Sequence, residues 1–158
     1  MKKVILALVV ATMCGMGVSC SKAEEEVPQK ILDLYPTAAS IEQEGSLITA
    51  LDKKGNVVGY VLNSKPASDG IEGKNGETPL EILIDGDKVV TNVEMLENQE
   101  TPSFVNIVVK SGLLEKWNGV GVEEAVTKPV DVVSGATLTS NSVIKTFRTA
   151  VKANKANM

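Results

Sequence analysis

Ser46-Leu47-Ile48-Thr49-Ala50-Leu51 and Val57-Val58-Gly59-Tyr60-Val61-Leu62 flank Asp52-Lys53-Lys54-Gly55-Asn56. Two runs rich in β-branched and aromatic residues, joined by a short polar segment with Gly and Asn, predict a β-hairpin. Leu80 to Ile84 and Lys88 to Val93 repeat the pattern around Asp85-Gly86-Asp87. Successive hairpins give an antiparallel sheet. Between them, Pro66 to Glu77 is polar and carries Gly70, Gly73 and Gly76. That stretch reads as a loop whose glycines form turns.

Helical patterns lie on both sides of the hairpins. Pro28 to Tyr35 has Pro in its first turn, Ile31, Leu32 and Tyr35 on one side, and Pro36 as a stop. Thr101 and Pro102 are suited to the cap and first position of a helix that buries part of Phe104 to Val109. Lys110-Ser111-Gly112 ends it, and Leu113 to Trp117 reads as a short apolar turn. Glu123 to Val126 leads to Pro129 and a valine-rich run, Val130 to Val133, which reads as a central strand. From Asn141 to about Lys155, Val143, Phe147 and Val151 recur every four residues with Ile144 beside them, an amphipathic helix. The predicted class is α+β, one domain with a mainly antiparallel sheet and helices packed on it. No internal repeat is visible.

Composition narrows the chemistry. An apolar content of 43% with only 3% aromatics describes an aliphatic globular core. The chain has no histidine, and its two cysteines, Cys14 and Cys20, both fall near the N-terminus. Cysteine redox pairs, ordinary zinc sites, His-ligated haem and Ser-His-Asp or Cys-His nucleophiles are therefore excluded from the domain. Redox chemistry would need an organic cofactor. No basic patch stands out, which argues against nucleic acid.

The junction Asp131-Val132-Val133-Ser134-Gly135-Ala136-Thr137-Leu138-Thr139-Ser140 joins the valine run to the last helix. A tight small-residue turn entering a helix points the first helical N–H groups at the turn, a ready seat for a phosphate. Gly135 permits close backbone approach, Ala136 adds no bulk, and Thr137 puts a hydroxyl at the helix entrance. An ordinary turn with a Ser/Thr helix cap would use the same residue types. Yet Asp-x-x-Ser/Thr-Gly-Ala-Thr arises by chance in only about one chain of this length in several thousand.

That run resembles the flavinylation motif of the FMN-binding domain family. The family includes FMN-carrying periplasmic subunits of sodium-translocating NADH:quinone reductase and Rnf complexes. Asp131, Ser134, Gly135, Ala136 and Thr137 match the motif. The resemblance implies FMN bound covalently to Thr137 through a phosphoester, with the phosphate held by the entry amides of Leu138, Thr139 and Ser140. It implies attachment by a separate magnesium-dependent flavin transferase acting on FAD. Glu100, Thr101 and Pro102 match part of a second family segment, His-x-Glu-Thr-Pro-Gly-Leu-Gly, which lies against the flavin ring. Asn98, Ser103, Phe104 and Val105 depart from it. Trp117, the sole tryptophan, is either a core residue or a platform stacked on the ring. The resemblance also implies that the sheet curls into a half-barrel.

Lys2 and Lys3 precede an apolar run, Val4 to Val18, in the layout of a secretory signal over residues 1–19. Its 15 residues fall short of the ~20 needed to span a membrane. Gly17-Val18-Ser19-Cys20 resembles a bacterial lipoprotein signal with Cys20 acylated, though Gly17 stands where Leu is usual. Cleavage near Ala23 or an uncleaved anchor are the alternatives. Residues 20–27, with Glu24-Glu25-Glu26, read as an acidic tether, and residues 28–158 as the FMN-binding domain. Loss of Lys2 and Lys3 takes 16 basic residues to 14 against 20 acidic, a mature charge near −6. Only a lipid would then hold the domain at an anionic membrane. The implied protein is an extracytoplasmic, membrane-tethered electron carrier, periplasmic or on the cell surface, whose redox partners lie in or on the membrane. Its rivals are the flavin module of an extracytoplasmic reductase and a cofactor-free binding or structural lipoprotein.

Overall fold

A computed structural model describes residues 27–158. The signal segment, Cys20 and most of the acidic tether lie outside the described residues. Five strands, β1 (Ser40–Glu44), β2 (Leu47–Leu51), β3 (Val57–Asn63), β4 (Leu80–Asp85) and β5 (Val90–Met95), form one sheet in the order 1-2-3-4-5. Every neighbouring pair is antiparallel. Four helices accompany it: α1 (Gln29–Leu34), α2 (Pro102–Lys110), α3 (Val122–Thr127) and α4 (Thr137–Asn154). The class is α+β, as the hairpin pattern predicts.

Strand alternation sorts the apolar residues into two layers. Leu47, Tyr60, Leu62, Leu80, Ile82, Ile84 and Val93 point to one face, under α2, α3 and α4. The main core forms there around Trp117, Phe147, Val143 and Val151. Ala50, Val61 and Leu83 point to the other face, where Ile31 of α1, Ala38 and Tyr35 cover them. One sheet thus carries a large core on one side and a smaller one on the other.

Tyr35 pins the smaller layer. Its hydroxyl lies 2.8 Å from the carbonyls of both Tyr60 and Ile84, which are directly paired across β3 and β4 and share its one proton. Gly59 makes room for its ring, since a Cβ there would lie 2.1 Å from Tyr35 Cε1. Burial pushes the Tyr35 phenol up to about 12, and that of Tyr60 upward too. Above pH 10 the unfolded chain therefore loses the Tyr35 proton before the folded one does. Stability should be constant below about pH 10 and fall toward pH 12. We expect a loss of ~1 kcal/mol, discounted because the ring is only partly buried. Urea unfolding at pH 8 and pH 11.5 reads it. Tyr35→Phe should flatten most of the difference, and an unchanged pH slope in that variant would refute the assignment.

Three features differ from the sequence expectation. β1 was not anticipated, because Ser40-Ile41-Glu42-Gln43-Glu44 holds a single apolar residue. It is an edge strand whose exposed glutamates discourage pairing with other chains. It joins β2 through Gly45-Ser46, with Gly45 at φ +60°, as a two-residue hairpin turn with Gly first requires. Second, Val130–Val133 is not a strand. The start of β5 is met instead by Gly119–Val122: Gly119 N–H donates to Val90 O (2.8 Å), Val90 N–H to Val120 O (2.9 Å) and Val122 N–H to Lys88 O (2.9 Å). The valine run is instead an unpaired strap crossing to α4. Third, α4 begins at Thr137 rather than Asn141. Two β-branched threonines with low helix propensity made its first turn look like loop.

Candidate flavin site

The strap ends in a tight turn that decides the geometry. Ala136 N–H donates to Val133 O (3.1 Å), closing a four-residue turn over Ser134 and Gly135. Gly135 has φ +83°, which a side chain would strain. Ser140 locks this turn to the helix. Its hydroxyl donates to Ala136 O (2.9 Å) and accepts Val133 N–H (3.0 Å), while its own N–H donates to Ala136 O (2.8 Å). Ser140 is thus internally satisfied and buried, and its amide is not free for a phosphate. The amides left without a partner are those of Thr137, Leu138 and Thr139, one residue earlier than the Leu138 to Ser140 set expected for a phosphate. Among the described residues none of these three has a protein acceptor.

The helix start carries no side-chain cap: Ala136 holds the cap position, buried, at φ −139° and ψ 39°. An ordinary capped turn would place a Ser or Thr oxygen on these amides. Thr137 is exposed and leaves its hydroxyl to solvent, whereas Thr139 is buried. Asp131 and Ser134 are exposed on the strap and turn. An uncapped helix start beside an exposed hydroxyl fits a phosphate esterified at that hydroxyl. Aliphatic side chains are exposed on the strap, the helix start and α2 as well. Leu138 is 59% exposed, Val132 44% and Ile107 38%. The Ile107 Cδ1 of α2 comes within 4.0 Å of the Cβ position on Gly135. Anion donors next to exposed aliphatic side chains suit the two ends of FMN.

Glu100 has a different task from the ring contact that its motif implies. It is buried at 4% exposure, and its carboxylate accepts the N–H groups of Lys74 (2.6 Å), Asn75 (3.1 Å) and Thr101 (3.0 Å). Three amide donors satisfy a buried carboxylate without a cation. Gly73 is demanded by this clasp, because a Cβ there would lie 2.0 Å from Glu100 Oε2. Asn75 Nδ2 also donates to the Thr101 hydroxyl. Glu100 and Thr101 thus fasten the glycine loop to the start of α2, and Pro102 sits exposed at the first helical position. The same loop is tied to α4 by Ser142, whose hydroxyl bonds Thr78 Oγ1 (2.7 Å) and Ile71 O (3.1 Å).

Trp117 is corrected to the core. It is fully buried and stacks on Phe147, with ring centroids 4.0 Å apart and planes 12° from parallel. Both faces of such a ring are covered inside the protein, so it offers no platform for a flavin. Sequence reading missed Lys74, Asn75, Thr78, Ile107 and Ser142. The Gly73 to Gly76 spacing pointed to the loop but not to its tie to Glu100. A polar cavity of about 530 Å³, lined by Lys65, Glu72, Asn75, Glu77, Glu97 and Asn98 among others, opens behind the loop. Its acidic lining does not suit a phosphate, and none of the Thr137 turn lines it.

Similarity to known proteins agrees with this geometry. Residues 73–152 match the model of the FMN-binding domain. That span runs from the clasped glycine loop through Glu100 and the Thr137 turn into the last turn of α4. The chain is also 26% identical over 140 residues to one component of the ion-translocating oxidoreductase complex of Methanosarcina acetivorans, covering 82% of this chain and 72% of that protein. With half of its length matched, the chain belongs to the FMN-binding domain family.

Proposed function

We propose that this protein carries FMN covalently on Thr137 through a phosphoester and works as a membrane-tethered, extracytoplasmic electron carrier. The observation that carries this reading is the uncapped start of α4, where three free N–H groups stand beside the exposed Thr137 hydroxyl. When bound, FMN supplies reversible uptake and release of electrons. The chain supplies the seat. The amides of Thr137, Leu138 and Thr139 hold the phosphate charge at the positive end of the helix dipole. Leu138, Val132 and Ile107 would give the ring an apolar surface, and Gly135, without a side chain, would leave room for close approach.

Attachment needs help from outside. A threonine hydroxyl is a weak nucleophile without an adjacent base, and this chain has no histidine to serve as one. In the proposed transfer from FAD, the Thr137 oxygen bonds to the flavin-side phosphorus, its proton leaves, and AMP departs. A flavin transferase supplies the base and the metal. Asp131 and Ser134, both exposed on the approach to Thr137, are placed for recognition by that enzyme. Cys20 carries the lipid in this reading, with residues 20–27 as tether. No described helix is long and apolar enough to cross a membrane. By analogy with the complex named for its relative, the redox partners are proteins in or on the membrane.

Anaerobic reduction of the FMN-loaded protein tests the carrier role. A carrier takes up two electrons per FMN, holds them, and returns them stoichiometrically to an added redox protein. Sustained turnover of a soluble small acceptor would make the protein a reductase instead. A preparation without visible absorbance, after expression with the transferase, would leave only a cofactor-free lipoprotein.

A further inference from the structure

We propose that Lys74 raises the reduction potential of the flavin, with the Glu100 clasp as the device that positions it. The inference rests on the FMN reading above. Lys74 Nζ lies 4.6 Å from the centroid of the Phe104 ring. Phe104 and Ile107 are three residues apart on α2 and therefore neighbours on one helix face. Ile107 in turn reaches the Gly135 turn that presents Thr137. An apolar strip thus runs from the attachment point along α2 and ends under an ammonium group.

Lys74 is held there by its backbone rather than by an ion pair. Its N–H donates to the buried Glu100 carboxylate, and Gly73 beside it has no space for a side chain. The ion pairs among the described residues are Lys30–Glu81 and Lys155–Glu123, so the Lys74 charge is not neutralised by a carboxylate. Its surroundings are otherwise acidic. Glu72, Glu77 and Glu97 line the neighbouring polar cavity, and the whole chain is net negative at −4. Reduction adds negative charge to the flavin, and charge near the ring tunes its electronics. The acidic surroundings oppose that added charge, and one cation at the end of the strip favours it.

Spectroelectrochemical titration of the FMN-loaded protein tests this, with loading of each variant checked by intact mass. Lys74→Gln should load fully and shift the midpoint downward. The expected change in the reduced-to-oxidised ratio is about three- to tenfold at fixed potential, ~15–30 mV for a two-electron couple. Lys74→Arg should restore the wild-type value, and the difference should shrink in high salt. Lys152→Gln, in the last turn of α4 and so at the opposite end of that helix from Thr137, should leave the midpoint in place. A fully loaded Lys74→Gln with the wild-type midpoint would overturn the inference, as would an equal shift in Lys152→Gln. Wild-type protein that takes up no FMN would overturn the flavin reading itself, and this inference with it.

Discussion

Thr137→Ala should yield a folded domain with no covalently bound flavin. The expected effect is complete, because the hydroxyl oxygen is the only atom of that side chain able to form the phosphoester. The cost to stability should be under about 0.5 kcal/mol, since Thr137 is exposed, lies at the first helical position and caps nothing. The variant therefore separates attachment from folding. Flavin fluorescence of the denatured band on a gel, with thermal unfolding in parallel, reads both quantities. Thr137→Ser retains the hydroxyl and should keep some label. Covalent flavin surviving in Thr137→Ala would move the attachment elsewhere, and the exposed Ser134 would be the first residue to check.

Trp117→Ala should produce the largest loss of stability among single substitutions, about 3–5 kcal/mol. The indole is fully buried, stacks on Phe147 and anchors the segment between α2 and α3 beneath α4. Trp117→Phe should cost much less. It keeps most of the apolar area and removes an indole N–H that is buried without a partner among the described residues. Because Trp117 lies in the core, Trp117→Phe should also leave flavin loading and the visible spectrum unchanged. Denaturant unfolding and absorbance of the loaded protein check the two halves. A shifted flavin spectrum with unaltered stability would return Trp117 to the site.

What was legible in the sequence had local causes. The two hairpins announce themselves through alternating Val, Ile and Leu around Asp/Gly/Asn turns, and both pair as expected. The amphipathic spacing of Val143, Phe147 and Val151 likewise leads to the core of α4. What was not legible depends on contacts distant in sequence. β1 forms because β2 offers an edge, not because Ser40–Glu44 has strand character of its own. Val130–Val133 has strand character but pairs with no strand, and Gly119–Val122 meets the start of β5 in its place.

The site divides in the same way. Gly135, Ala136 and Thr137 follow one another in a single local turn, so the motif pointed to them. Ser140 also belongs to the motif, yet its role is internal, closing the turn rather than meeting a phosphate. Glu100 was visible as part of a matched segment, but its partners, Lys74 and Asn75, lie about 25 residues away in sequence. No spacing rule joins a glutamate to a glycine loop at that separation. Lys74 is invisible for the same reason, since its meaning comes from the clasp beneath it and the Phe104 ring beside it.

The most direct test is the intact mass of the protein, exported from cells that also express a flavin transferase, taken after a denaturing wash. The predicted result is an added mass of one FMN that survives the wash and maps by peptide fragmentation to Thr137. An unmodified mass, under conditions that load another member of the family, would contradict it and reduce the Thr137 turn to a helix entrance.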